Sequence, residues 1–123
     1  MAAPTDEDIF AYVQGAFPSV WALEVLRLLH RERARAWRAT DLISELRGSE
    51  AAIGSAIAAL EAAGLAVSEH DVVRFHAASD TVAELAQRTL EVYVVRPAWV
   101  IRAILTAPNA KLKIFANSFR LKD

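Results

Sequence analysis

Between Ser49 and Gly64 the chain carries a segment that leaves little freedom of fold. Ile53, Ile57 and Leu60 recur at i, i+4 and i+7, the spacing that lines one face of an α-helix. Ser49 is a good N-cap, and Gly64 ends the helix where left-handed backbone carries no Cβ penalty. Directly afterwards Leu65 and Val67 alternate with Ala66 and Ser68, and Val73 and Phe75 alternate with Arg74 and His76. This predicts two short antiparallel strands turning at His70-Asp71. A helix with one apolar face running straight into a hairpin must lay both on a common core. The opposite side of the helix carries Ala51, Ser55, Ala58 and Ala62, and the segment holds no Lys or Arg.

The remaining segments supply elements for that core. Thr5 and Asp8 read as a capping box that opens a helix over about 6–14, presenting Ile9, Phe10 and Val13 to a partner surface. Ser19 caps a second helix to about Arg31, with Val20, Leu23, Leu26 or Arg27, and Leu29 or His30 at helical period. Arg31 to Arg35 is a polar connection and Ala36 to Arg38 a short extended piece. Thr40 caps a third helix over 41–46, with Leu42, Ile43 and Leu46 inward. Ser79 caps a long helix to about Arg96, and Pro97 suits the first turn of another to about Leu105. Pro108-Asn109 starts a last helix with Leu112, Phe115, Ala116 and Phe119 along one stripe. The expected fold is mainly α with a small β-hairpin. It divides into an N-terminal helix (1–18), a central unit (19–78) and a C-terminal helical region (79–123), within one compact domain.

At 123 residues, 54% hydrophobic and 24% charged, the chain is long enough to bury a core without staples. It contains no cysteine, which excludes disulfides and thiolate metal sites. Its first residues are acidic, unlike a secretory leader. No apolar run approaches the roughly 18 residues that span a bilayer. A cytoplasmic protein with no membrane contact is expected. The net charge of −1 conceals an uneven distribution. Residues 1–26 sum to −4, 27–48 to +3, 49–91 to −5 and 92–123 to +5. The helix and hairpin of the opening argument thus lie in the most acidic stretch, the reverse of what a phosphate backbone attracts.

Residues Ser19 to Ala78 resemble bacterial winged helix-turn-helix regulators. The resemblance is carried by Ala39-Thr-Asp-Leu-Ile-Ser-Glu-Leu46, by Ala56-Ile-Ala-Ala-Leu-Glu-Ala-Ala-Gly-Leu65 and by the hairpin Val67 to His76. The whole chain is also similar to a family of small winged-helix proteins ending like Phe115-Ala-Asn-Ser-Phe119. The resemblance implies a winged-helix core with N- and C-terminal helical additions and a link to transcription. It transfers no functional residue, because the base-reading side chains are absent, and winged-helix domains also dock proteins.

The chain offers no catalytic constellation, no phosphate-cradling Gly loop and no cofactor motif, so no enzyme and no cofactor are expected. His70, Asp71 and His76 are too few to hold a metal. Arg31, Arg33, Arg35 and Arg38 are the one dense basic cluster. They read either as phosphate contacts beside a groove or as solvated arginines at a helix C-terminus. With Ser49, Ser55 and Arg74 they are the candidate double-stranded-DNA residues. Lys111, Lys113, Arg120 and Lys122 read as a solubilising face. The stripe Ala51, Ser55, Ala58 and Ala62 reads as a surface for close helix packing or as plain solvated alanine. Thr89, Leu90, Val92, Tyr93, Val94 and Val95 make the long helix apolar nearly all round, which asks for burial on more than one side. Tyr93, Phe115 and Phe119 are therefore candidate contacts in a homodimer, the alternative being that the last helix wraps over the long one within one chain through Phe115 and Phe119. Three functions follow as expectations: a transcription-associated regulator touching DNA weakly through phosphates, a winged helix that binds a protein instead, and a ligand sensor with a pocket against the long helix.

Overall fold

The computed structural model describes residues 3–107. They form α1 (Asp6–Ala16), α2 (Val20–Arg31), β1 (Trp37–Arg38), α3 (Ala39–Leu46), α4 (Glu50–Ala62), β2 (Ala66–Glu69), β3 (Val72–Phe75), α5 (Asp80–Val95) and α6 (Pro97–Leu105). The expected last helix, with Phe115 and Phe119, lies outside the described residues.

Local chemistry sets most boundaries. The hydroxyls of Thr5, Ser19, Ser49 and Ser79 accept from the backbone N–H groups of Asp8, Ala22, Ala52 and Val82, satisfying donors that the first helical turn leaves free. Thr40 does not cap α3. The helix begins at Ala39, and the Asp41 carboxylate accepts from the Arg38 N–H. An acid at the third position competes well for that donor, so the helix starts earlier than Thr40 alone suggests. At the end of α4, Gly64 takes φ +74, and an added Cβ would stand 2.9 Å from the Cβ of Ala78.

The three strands form one antiparallel sheet in the order β1-β3-β2. His70 and Asp71 both take positive φ, 51° and 65°, the two-residue turn that matches strand twist. Cα pairs run Ala66 to Phe75 and Ser68 to Val73 in the hairpin, and Trp37 to Val73 across to β1. The inner row of Trp37, Val73 and Ala66 lies on the core.

That core joins Leu23, Leu26 and Leu29 of α2 to Leu42, Ile53, Leu60 and Leu65. Two expectations are corrected here. Ile9 and Val13 of α1 are buried within this chain rather than offered to a partner, because α1 packs on α5 and α6. In α2 the alternatives resolve to Leu26 and Leu29, with Arg27 outside. α1 and α6 lie side by side. Asp6 meets Arg96 at 3.3 Å at one end, and Gln14 Nε2 reaches Thr106 Oγ1 at 3.5 Å at the other. Phe10 packs edge-on against Trp99 between them.

Among the described residues no single helix is long and apolar enough to cross a membrane. α1 and α2 together have the composition but are bent by 106°. Their large apolar side chains, Ile9, Leu23 and Leu26 among them, sit in the core, as does Phe17 between the two helices.

Candidate interaction surface

Helices α3 and α4 join through Arg47, in left-handed conformation at φ 55°, and Gly48. The approach at Gly48 is tight: a Cβ would meet Ile53 Cδ1 at 2.9 Å and Trp21 Cζ3 at 3.0 Å. Trp21 thus packs on the turn while remaining 37% exposed. Ile53, Ala56 and Leu60 hold α4 to the core. Ala51, Gly54, Ser55, Ala58 and Ala62 lie exposed on its outward side, with Glu50 and Glu61 among them. The stripe read from the sequence is therefore on the surface, and its polar neighbours are acids.

Beside α4 a groove of about 510 Å³ opens beneath the hairpin tip. Arg38, Ala39 and Thr40 form one wall, Glu69, His70 and Asp71 the other, and Ile57 and Val73 contribute apolar lining. No residue of α5 lines this groove, so it is separate from the pocket expected against the long helix. Ser68, also in the lining, donates its hydroxyl proton to Glu61 Oε1 at 3.2 Å. The hairpin is thereby tied to the C-terminal end of α4.

The basic cluster is divided. Glu32 pairs with Arg31 at 3.5 Å and with Arg35 at 3.8 Å. The Arg35 guanidinium also lies over the Trp37 ring, 3.4 Å from its centroid, within cation–π range. Arg31 and Arg35 thus share one carboxylate within the chain while staying largely exposed, and sequence reading missed this because it summed Glu32 into the net charge without pairing it to either. Arg33, Arg38 and Arg74 are exposed and form no ion pair among the described residues. Arg38 and Arg74 belong to the sheet, whereas Arg33 stands on the preceding loop. Ser49 spends its hydroxyl on the α4 cap, while Ser55 is free on the outward face.

His30, half-buried at the end of α2, packs edge-on against Phe75 at 5.1 Å. Its pKa is lowered, first by desolvation and then by the Arg33 charge. No group of three His, Asp or Glu side chains with metal-binding geometry occurs among the described residues.

At the C-terminal end, Tyr93 donates to Glu24 Oε2 at 2.6 Å, joining α5 to α2. Burial and this bond to the carboxylate push its pKa up to about 12. Its polar group is thus used within the chain. The apolar surface left open at this end belongs to Val94, Val95 and Leu105, 68%, 76% and 70% exposed. Tyr12 is likewise pushed up to about 12 by burial, with no partner for its hydroxyl among the described residues.

Comparison with protein-family models, with curated proteins and with solved structures finds nothing that matches this chain.

Proposed function

We propose that residues 19–78 act as a winged-helix module, linked to transcription, that docks a cationic protein segment on the α4 and hairpin surface. The winged-helix reading rests on the order α2, β1, α3, α4, β2, β3 and on the sheet in which the hairpin pairs with β1. One observation carries the choice of partner. Over residues 36–76 the bases are Arg38, Arg47 and Arg74, against the acids Asp41, Glu45, Glu50, Glu61, Glu69 and Asp71, so 3 − 6 gives −3. All but Asp41 are exposed. Such a surface repels a polyanion and attracts Lys or Arg. α4 also lacks the Arg, Lys, Asn or Gln that reads base edges.

The test sets DNA against protein. In fluorescence anisotropy with a labelled duplex at 50 mM salt, the expected dissociation constant is weaker than about 100 µM, beyond ordinary non-specific binding. Saturable binding below about 1 µM under those conditions sinks the protein reading. The tagged chain, purified from its host beside Ala58→Arg and Asp71→Lys, gives the complementary result. A partner retained by the parent and lost from both variants supports docking here; a partner retained by all three places docking elsewhere.

The exposed, unpaired Arg33, Arg38 and Arg74 favour a second reading, in which the module touches DNA phosphates alone. Three neutralised phosphates would give a slope of log K against log salt of about −2.7. Replacing any one of the three would then reduce that slope by about 0.9 without changing sequence preference.

A further inference from the structure

The groove beneath the hairpin tip is polarised across its width. Arg38, Val72 and Glu69 are cross-strand partners in a single row of the sheet. Neighbouring strands lie roughly 4.8 Å apart, so the base on β1 and the acid on β2 stand about 10 Å from each other with a valine between them. Asp71 adds a second carboxylate on the acidic side, and Glu61, which accepts from Ser68, stands at its edge. Neither Glu69 nor Asp71 forms an ion pair among the described residues. Between the walls lie Ile57 and Val72, half-buried, and the buried Val73. The volume of about 510 Å³ falls within the roughly 300–1,000 Å³ of ligand sites.

An apolar lining rimmed by carboxylates suits one kind of side chain. A purely aliphatic residue would leave both carboxylates unanswered. A small cation would leave the isoleucine and the valines in water. Lys and Arg combine the two, with a methylene stem that covers apolar surface and a charged head that reaches beyond it. Arg38 sets the direction. It repels a cationic head, which therefore lies toward the hairpin, and its guanidinium can donate to carbonyl oxygens of the incoming backbone.

We propose that this groove is the anchor point of the docking surface and receives one Lys or Arg side chain of the partner segment. The stem lies on Ile57, Val72 and Val73, and the head meets the carboxylates of Asp71 and Glu69. The inference rests on the docking reading above and narrows it from a net charge to one recess.

The test uses Nα-acetyl-arginine amide, which presents the side chain on a peptide backbone, titrated into the isotope-labelled full chain and followed by amide NMR shifts. Saturable shifts at Ile57 and residues 68–73 are expected, with a dissociation constant of about 1 mM for a ligand of this size. Nα-Acetyl-norleucine amide, stem without head, and guanidinium chloride, head without stem, should each bind at least about fivefold more weakly. Asp71→Asn and Glu69→Gln should each weaken the arginine probe about threefold. Asn tolerates the left-handed backbone at position 71, so that variant keeps the turn. Equal binding of either truncated probe overturns the proposal, as does undiminished binding by both variants. Free arginine binding about tenfold tighter than its amide overturns it in favour of a soluble small molecule. The two readings fail separately. A partner lost from Ala58→Arg and Asp71→Lys, with the groove signals unmoved by the arginine probe, leaves docking in place and removes the anchor alone. A duplex bound below about 1 µM, with the probe still shifting the groove, overturns docking and the anchoring role with it.

Discussion

Helices α4 and α6 are both rich in alanine and large aliphatics, yet their outward faces are finished differently. α4 turns Ala51, Gly54, Ser55, Ala58 and Ala62 to solvent beside Glu50 and Glu61, and buries Ile53 and Leu60. α6 buries Val100 and Ile104 but leaves Ile101 half-covered and Leu105 open. Small side chains lose little by standing in water, whereas each exposed leucine or valine forgoes about 1.5–3 kcal/mol of burial. Composition alone does not separate a surface meant for water from one awaiting cover. The size of the outward residues does.

The largest expected effect tests the buried side of that contrast. Leu60→Ala in α4 should cost about 2–5 kcal/mol in urea unfolding. Leu105→Ala, removing the same atoms from α6, should cost no more than about 0.5 kcal/mol if its face is open to water. A loss for Leu105→Ala nearer that of Leu60→Ala, in the full-length chain, brings the two helices into line and supports a covered α6. Gly64→Ala comes next. Left-handed backbone and the close approach of Ala78 together predict about 2 kcal/mol of destabilisation, read from the same transition. If it is silent, the exit from α4 is less constrained than its φ implies.

At the other end of the comparison, Tyr93→Phe removes the 2.6 Å bond to Glu24 that anchors α5 and should cost about 1.5–3 kcal/mol at neutral pH. The pH profile sharpens this. The pKa of Tyr93 is raised from 10.0 to about 12 on folding, so the folded state holds the proton longer than the unfolded chain. Its contribution is complete below pH 10 and is lost as pH rises from 10 towards 12. Tyr93→Phe should flatten part of that alkaline fall, and Tyr12, raised by burial in the same direction, contributes another part. His30 has the opposite sign. Desolvation and Arg33 lower its pKa below 6.5, so its contribution is present above that pH and fades as pH falls through the lowered value.

The smallest effect bears most directly on α4 as a surface. An added Cβ at Gly54 meets nothing within 4 Å. Gly54→Ala should therefore stabilise α4 by about 0.5–1 kcal/mol in thermal melts. A destabilised variant would mean that this face packs against something in the free chain. A more stable variant that loses its partner would place Gly54 inside the docking surface.

Much of this was legible before folding was considered. The caps at Thr5, Ser19, Ser49 and Ser79, the stop at Gly64 and the turn at His70-Asp71 all follow from side chains acting within four residues. The α4 stripe was readable because helical period sorts residues onto faces. The pairing of Arg31 and Arg35 with Glu32 was within reach, since all three lie on one short segment. The stacking of Arg35 on Trp37 was less so, because it depends on where β1 sits. The groove was not legible, as its walls come from α3 and the hairpin, some thirty residues apart in sequence.

By itself the sequence determined the helices, their caps, the hairpin and its turn, because these rest on backbone dihedrals and hydrogen bonds closed over a few residues. It also determined that α4 presents no base-reading chemistry, which is a matter of residue identity. Tertiary structure alone decided that Ile9 and Val13 are core, that Tyr93 serves Glu24, and that β1 completes a sheet with β3. It decided too that Leu105 and the valines before α6 stand open. Each of these depends on which distant surface arrives, and burial is a property of the pair rather than of either partner.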